Sequence, residues 1–154
     1  MRLFLIYFFV ICSCAVADDR QEMRSILQAN FEACNSENLD ALMDTCSVDM
    51  PDRDGFRRES KILFKEKDIH YSMEDFRVTM VDGDYAEAWV VQATYSKDRD
   101  SDTEERGRFR NGTTLLPTDE CVEYRVAFKR DGRRWKCYMT ISDPIPYRRA
   151  KALK

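Results

Sequence analysis

Few side chains in this sequence have the type and spacing that catalysis requires. His70 is the only histidine among the 154 residues, so a proton-transfer site built on imidazole can use no other residue. His70 falls between Ile69 and Tyr71 in a stretch of alternating polarity. Its side chain is therefore predicted to face the opposite side of a strand from these apolar residues. The sequence contains no nucleophile elbow, phosphate-binding glycine loop or metal-binding cluster. We therefore expect neither a metal nor a cofactor. Two interpretations of His70 stay open: it is a catalytic residue, or it is an ordinary surface residue.

The first residues have the pattern of a secretory signal peptide. Arg2 precedes an apolar run and a small-residue ending, which predicts cleavage after Ala17. The apolar run is shorter than the roughly 20 residues of a membrane span. The alternative is a lipoprotein signal with Cys14 acylated. Both readings predict export, to the periplasm or out of the cell, without a stable membrane span.

Export leaves four cysteines in the mature chain, because the two earlier ones are removed with the signal. An even number of cysteines in an oxidising compartment favours two disulfides, and four cysteines allow three pairings. We favour Cys34 with Cys46, joining two neighbouring helices, and Cys121 with Cys137 across the last hairpin. Simple alternation places Cys121 and Cys137 on opposite faces, so the second bond would require a bulge or another pairing.

Two alternating runs near the C-terminal end predict a long antiparallel hairpin. Apolar residues recur at every second position in 122–128 and again in 135–141, which is typical of strands with one buried face. Asp131-Gly132 between them suits a tight turn. Two further strands are predicted in 69–80 and 85–95. The apolar face of this sheet needs a cover from upstream.

Three amphipathic helices are predicted before the sheet, in 20–35, 39–46 and 56–65, because their apolar residues recur at helical spacing. Asn30 is a polar member of the first apolar stripe, so it must find a hydrogen-bond partner or line a cavity. Asp54 and its neighbour Asp52 are suited to cap the third helix.

The composition of the whole chain is typical of one globular domain. The chain is 44% hydrophobic and 34% charged, with a formal net charge of −3, so neither a disordered chain nor a nucleic-acid partner is indicated. We expect a single domain over 18–146 and a basic tail over 147–154. The charged stretch 97–110 is predicted to be an exposed loop or hairpin tip. Asn111 begins a sequon for N-glycosylation in a eukaryotic host.

Three motifs in this order resemble the nuclear transport factor 2-like (SnoaL-like) superfamily: 35–42 at a helical turn, 82–86 opening a strand and 128–136 at the last hairpin. The resemblance implies an α+β fold with three N-terminal helices packed in the concave face of a strongly curved antiparallel sheet, a cone-shaped α+β barrel. It also implies a pocket on that face and a homodimer through the convex face, where Trp89, Val91 and Tyr95 would form the apolar surface.

Our leading hypothesis is a non-catalytic module that binds a small apolar ligand or partner in the cone. Its pocket would be lined by a polar residue and four aromatic residues: Asn30, Phe31, Trp89, Tyr124 and Trp135.

The alternative is an enzyme of the isomerase, cyclase or dehydratase type that uses Asp54, Tyr124 or His70. Alignment with the steroid isomerase branch puts Asn30 at the position of the catalytic tyrosine, Asp54 at that of the aspartate and Tyr124 at that of the strand acid. Proton abstraction by Asp54 would need an oxyanion partner. A third hypothesis is a dimerisation scaffold.

Overall fold

The computed structural model describes residues 3–98, 104–106, 121–142 and 145–147, with side chains over 18–94 and 121–142. Three helices precede one antiparallel sheet. The helices are α1 (Leu3–Asn35), α2 (Leu39–Thr45) and α3 (Arg53–Glu66). The strands are β1 (Lys67–Asp82), β2 (Tyr85–Asp98), β3 (Glu104–Arg106), β4 (Cys121–Asp131), β5 (Arg134–Thr140) and β6 (Ile145–Tyr147).

The sheet curls around the helices in the order β1-β2-β4-β5, with β3 on β2 and β6 on β4. In α1, Met23, Leu27 and Phe31 are spaced four apart, so they form one stripe that is buried on the concave face. Alternate residues of β2 and β4, such as Val90 and Val126, face this stripe. The predicted α+β fold with a curved sheet is confirmed.

Side chains from the preceding turns fix where α2 and α3 begin. Asn38 Oδ1 accepts a hydrogen bond from Ala41 N at 3.0 Å, and Asp52 Oδ1 accepts one from Gly55 N at 3.1 Å. A Cβ at position 55 would lie 2.0 Å from Asp52 Oδ2, so this cap requires glycine. Of the two aspartates suited to cap α3, Asp52 is the cap, and Asp54 is exposed in the first turn.

The last hairpin forms as expected, but its turn lies one residue further along. Asp131 pairs with Arg134, so the central residues are Gly132, with φ +64°, and Arg133. A positive φ at the first central residue alone is typical of a type II′ turn. This register, with a bulge after Ala127, places Cys137 opposite Phe128.

The shifted register overturns one of the disulfides favoured from the sequence. Cys121 is seven residues before Phe128 on β4, which is about 23 Å along a strand, and Cys137 lies opposite Phe128. Disulfide geometry requires Cα atoms within about 7 Å. A Cys121–Cys137 bond therefore does not fit this fold.

Both outer strands of the sheet are bonded to the helical layer. The Asn35 side chain pairs with the backbone of Tyr71 in β1: Nδ2 donates to the carbonyl oxygen at 2.9 Å, and Oδ1 accepts from the amide at 2.6 Å. At the other edge, Ser47 N donates to Cys137 O of β5 at 2.8 Å. The segment from Asn35 to Ser47 thus reaches from one edge of the sheet to the other.

Asp131 connects the last hairpin to the turn after α2, and its removal should be costly. Its carboxylate accepts hydrogen bonds from Ser47 Oγ at 2.8 Å and Val48 N at 2.9 Å, and Ser47 is fully buried. We expect Asp131→Ala to lower the free energy of unfolding by about 1.5–3 kcal/mol, because a buried hydroxyl loses its acceptor. Urea denaturation measures this, with Asp82→Ala at the exposed β1–β2 turn as control. Equal losses in both variants would contradict the assigned role.

Two stretches expected outside the sheet contain strands. Glu104–Arg106 pairs with Tyr95–Lys97 at the end of β2, so these residues of the charged stretch belong to the sheet. Ile145–Tyr147 pairs with Cys121–Glu123, so the sheet continues into a stretch for which no strand was predicted. Asn111 lies outside the described residues, as do 148–154. Within the described chain, no helix is long and apolar enough to cross a membrane.

Candidate binding site in the concave face

The five residues predicted to line a pocket do not come together as one set. Phe31 and Tyr124 lie in the same buried cluster on the concave face. Trp135 is also buried there, but it pairs with Arg130, six residues from Tyr124 and about 20 Å along the strand. Its indole Nε1 donates to Asp19 Oδ1 at 3.1 Å, so Trp135 fills the end of the cone near the last turn.

Trp89 is a correction to the predicted pocket. Its neighbours Ala88 and Val90 point into the buried concave cluster, and strand alternation places Trp89 on the convex face. There the guanidinium carbon of Arg125 lies 5.8 Å from the Trp89 ring centroid. Trp89 therefore cannot line the concave face with Phe31 and Tyr124.

Polar side chains from two strands meet at the end of the cone where Tyr124 lies. The Tyr124 hydroxyl donates to Gln92 Oε1 at 2.6 Å, and Gln92 Nε2 donates to Thr94 Oγ1 at 2.8 Å. Gln92 is 3% exposed and Tyr124 is 7% exposed. Burial raises the pKa of the Tyr124 phenol, and the nearby thiol of Cys137 raises it further. Tyr124 is therefore a neutral hydrogen-bond donor at physiological pH.

Tyr71 of β1 lies beside this polar chain. Its ring packs against Phe31 with 5.7 Å between the centroids, and the hydroxyl makes no hydrogen bond to any residue that the structure describes. Burial raises the pKa of the Tyr71 phenol, with a smaller contribution from Cys34. Tyr71 is partly buried against the apolar cluster, so its neutral hydroxyl is open to a partner at the border of that cluster.

Asn30 finds its partners on α2. Its side-chain nitrogen donates to Thr45 Oγ1 at 2.7 Å and lies 4.0 Å from Cys46 Sγ. Thr45 in turn donates to the Leu42 carbonyl at 2.6 Å. The polar residue on the apolar stripe is therefore satisfied between two helices.

The three catalytic candidates are not brought together. Asp54 is exposed on the first turn of α3, and His70 is exposed on β1. Tyr124 is buried on the concave face. No acid–base pair forms among these three residues. Among the described side chains, no group of three His, Cys, Asp or Glu is placed to hold a metal ion.

Sequence reasoning overlooked Tyr71 and Gln92 as site residues. Gln92 shares its strand phase with Ala86, Ala88 and Val90, so a polar residue at this position interrupts an apolar face. That interruption is a usable signal, because a buried amide requires partners.

The convex face is not the apolar surface predicted for a dimer. Val91 is 3% exposed within the single chain, and the Tyr95 side chain lies outside the described part. Around Trp89 the surface contains an ion pair between Arg125 and Glu87. An interface through this face would therefore be polar as well as aromatic.

Comparison with solved structures places this architecture in the nuclear transport factor 2-like class. An NTF2-like protein with a cystatin-like fold from Novosphingobium aromaticivorans is 16% identical, with a TM-score of 0.59 over 85% of this chain and 84% of its own. A ketosteroid isomerase-like protein from Erwinia carotovora atroseptica is 14% identical, with a TM-score of 0.55 over 81% and 98%. The β subunit of benzoate 1,2-dioxygenase from Burkholderia mallei is 13% identical, with a TM-score of 0.55 over 79% and 87%. These identities establish the fold alone.

A family model described as the anti-sigma-I factor RsgI9 C-terminal domain matches residues 25–115. The match spans more than half of the 154 residues, and the chain belongs to this family. A search of curated proteins found no match.

Proposed function

We propose that this protein is a non-catalytic binding module that holds a small, largely apolar molecule at the Tyr71–Tyr124 end of the cone. The Tyr71 hydroxyl carries the proposal, because it lies beside the apolar cluster of the concave face without a hydrogen bond to any described residue. A ligand oxygen would supply the acceptor that the hydroxyl lacks. Phe31 supplies the apolar contact beside it.

The neighbouring polar groups favour binding over reaction. Tyr124 and Gln92 are hydrogen-bonded to each other, so they can orient a polar ligand group by exchanging partners. Both phenols hold their protons tightly because burial raises their pKa, which makes them donors and poor general bases. Asp54 and His70, the other candidates for a base, are exposed elsewhere.

Export and self-association belong to the same proposal. Cleavage after Ala17 would retain Asp19, whose carboxylate accepts bonds from Trp135 and Arg130, so the mature chain keeps this contact. We propose a secreted or periplasmic homodimer. Native mass spectrometry of the protein secreted by its host, never reduced, would report cleavage, subunit number and any retained small molecule.

An environment-sensitive probe tests the site directly. We expect 8-anilinonaphthalene-1-sulfonate, which has an apolar ring system and a hydrogen-bond-accepting sulfonate, to bind with saturable fluorescence. Tyr71→Phe should weaken this binding at least about tenfold, because a hydrogen bond to a charged group contributes about 1.5–3 kcal/mol. Fluorescence titration of the folded variants measures the change.

Tyr138→Phe is the matched control. It removes a tyrosine hydroxyl from the convex face, where Lys129 Nζ lies 5.8 Å from the Tyr138 ring centroid. Its affinity for the probe should equal that of the wild type. Non-saturable binding, or equal affinity in Tyr71→Phe and Tyr138→Phe, would reject the proposed site.

A further inference from the structure

Cys46 and Cys137 are backbone neighbours in different parts of the fold. Cys46 follows α2, Cys137 lies in β5, and the two form an isolated parallel β-bridge. Bridged residues lie about 4.7–4.9 Å apart, which is within the Cα separation of about 4.4–6.8 Å found in disulfides. The two thiols are unbonded in the structure. The backbone therefore already has the spacing that a Cys46–Cys137 bond requires.

Cys34 joins this pair from the last turn of α1. Burial raises the pKa of the Cys34 thiol to about 12, with a further contribution from negative charge at Cys46. Burial likewise raises the pKa of Cys137, followed by negative charge at Cys46 and, more weakly, at Cys34. Cys34 lies one helical turn after Asn30 on the same face of α1, and the Asn30 side-chain nitrogen is 4.0 Å from Cys46 Sγ, so the three thiols lie in one region of the fold.

The three thiols differ in access to solvent. Cys34 is half-buried, whereas Cys46 is 4% exposed and Cys137 is 8% exposed. A soluble oxidant therefore meets Cys34 first. Cys46 and Cys137 are both buried, so such an oxidant has little access to either of them.

The surroundings of Cys46 suit a thiolate better than those of the other two. Burial raises its pKa, but the Thr45 hydroxyl and the positive charges of Arg53 and Lys136 oppose that rise. Arg53 Nε is buried and has no hydrogen-bond partner among the described residues. The Asn30 amide also points at Cys46 Sγ. Negative charge on this sulfur would meet four donors or cations.

We propose that Cys34, Cys46 and Cys137 form a thiol–disulfide relay, in which oxidation begins at Cys34, passes through Cys46 and ends as a Cys46–Cys137 disulfide. The Cys34–Cys46 bond favoured from the sequence is then the intermediate. The final bond joins the end of α2 to β5 and leaves Cys34 as a thiol. The relay does not depend on the proposed ligand site.

Each step of the relay balances with a low-molecular-weight disulfide such as oxidised glutathione. Cys34 gives its proton to solvent base and, through the small thiolate fraction that its raised pKa allows, attacks one glutathione sulfur, forms a mixed disulfide and releases the first glutathione. The Cys46 thiolate then attacks Cys34 Sγ and releases the second. The Cys137 thiolate attacks Cys46 Sγ, and Cys34 leaves as a thiolate that is reprotonated. Two protein thiols are oxidised, and one oxidised glutathione is reduced to two thiols.

Time-resolved disulfide mapping tests this order. The fully reduced protein is mixed with oxidised glutathione at pH 8, quenched with N-ethylmaleimide in urea and digested with trypsin and Asp-N. Asp-N cleaves before Asp40, which separates the Cys34 and Cys46 peptides. We expect glutathionylated Cys34 first, a Cys34–Cys46 bond next and a Cys46–Cys137 bond at the end point, with two thiols lost.

Four serine variants separate the steps. Cys34→Ser should form the same final bond at least tenfold more slowly, and Cys137→Ser should stop at Cys34–Cys46. Cys46→Ser should form neither bond, and Cys121→Ser, at the far end of β4, should behave as the wild type. A Cys34–Cys137 end product, a final bond to Cys121, or an unchanged rate in Cys34→Ser would overturn the relay.

Discussion

Trp135→Ala is expected to lower the free energy of unfolding by about 3–5 kcal/mol, the usual cost of removing a large buried aromatic side chain. Trp135 is 1% exposed and lies under the middle of α1, where Glu22 accepts a hydrogen bond from its backbone amide. The guanidinium carbon of Arg130 is 4.4 Å from its ring centroid, and its indole donates to Asp19. The substitution would leave a cavity and remove both contacts. The total free energy of unfolding of a small domain is only about 5–15 kcal/mol.

Trp89→Ala is the control, because it removes the same side chain from the half-exposed convex face. We expect Trp89→Ala to lower the free energy of unfolding by about 1 kcal/mol, mainly because the contact with Arg125 is lost. Urea denaturation of both variants gives the comparison, and Trp135→Phe provides a milder replacement if Trp135→Ala does not fold. A loss in Trp89→Ala as large as that in the Trp135 variants would contradict the assignment of the two faces.

Alkaline pH should destabilise the reduced protein more steeply than buried tyrosines alone would. The thiols of Cys34 and Cys137 have an ordinary pKa of 9.0, and burial raises both in the folded state, that of Cys34 to about 12. Below pH 9 the folded and unfolded states both keep these thiols protonated, so their ionisation does not reduce the free energy of unfolding. Above pH 9 only the unfolded state releases them, and stability falls by about 2.7 kcal/mol per pH unit for the two thiols together.

Urea denaturation with reductant at pH 8, 9, 10 and 11 measures this slope. The buried phenols of Tyr71 and Tyr124 add to it above their ordinary pKa of 10.0. The double variant Cys34→Ser/Cys137→Ser should lose less stability between pH 9 and 10 than the wild type, because Cys46 is then the remaining buried thiol with a raised pKa. A wild-type slope equal to that of the double variant would show that these thiols already ionise in the folded protein.

Local patterns were sufficient to predict most of the fold. Glycines at the two hairpin turns, Gly83 and Gly132, have the positive φ that their positions suggested. Alternation in β4 gave its buried face correctly. The one-residue shift of the last turn was not visible, because Asp131-Gly132 and Gly132-Arg133 both suit a two-residue loop. Trp89 was predicted both for the pocket and for the convex surface because β2 is apolar on both sides, and the pocket assignment was wrong.

The candidate site was harder to predict from the sequence than the fold, because it depends on contacts between segments that are far apart in the chain. Nothing local indicates that Cys46, after a helix, lies beside Cys137 in the last long strand. Gln92 and Tyr124 are 32 positions apart, and their hydrogen bond depends on the pairing of Val90 with Tyr124. The strand Ile145–Tyr147 was hidden by prolines, which lower strand propensity.

The bonds from Asn35 to β1 and from Ser47 to β5 have a consequence for how wide the cone can be. These strands are the two ends of the β1-β2-β4-β5 path, and α2, with seven residues, is about 10 Å long. Because both edges are held at the ends of this short segment, its length limits how far the sheet can open. One added helical turn would allow up to about 5 Å of extra width. A longer α2 would thus widen the space between the helices and the sheet without a change in any residue that faces it.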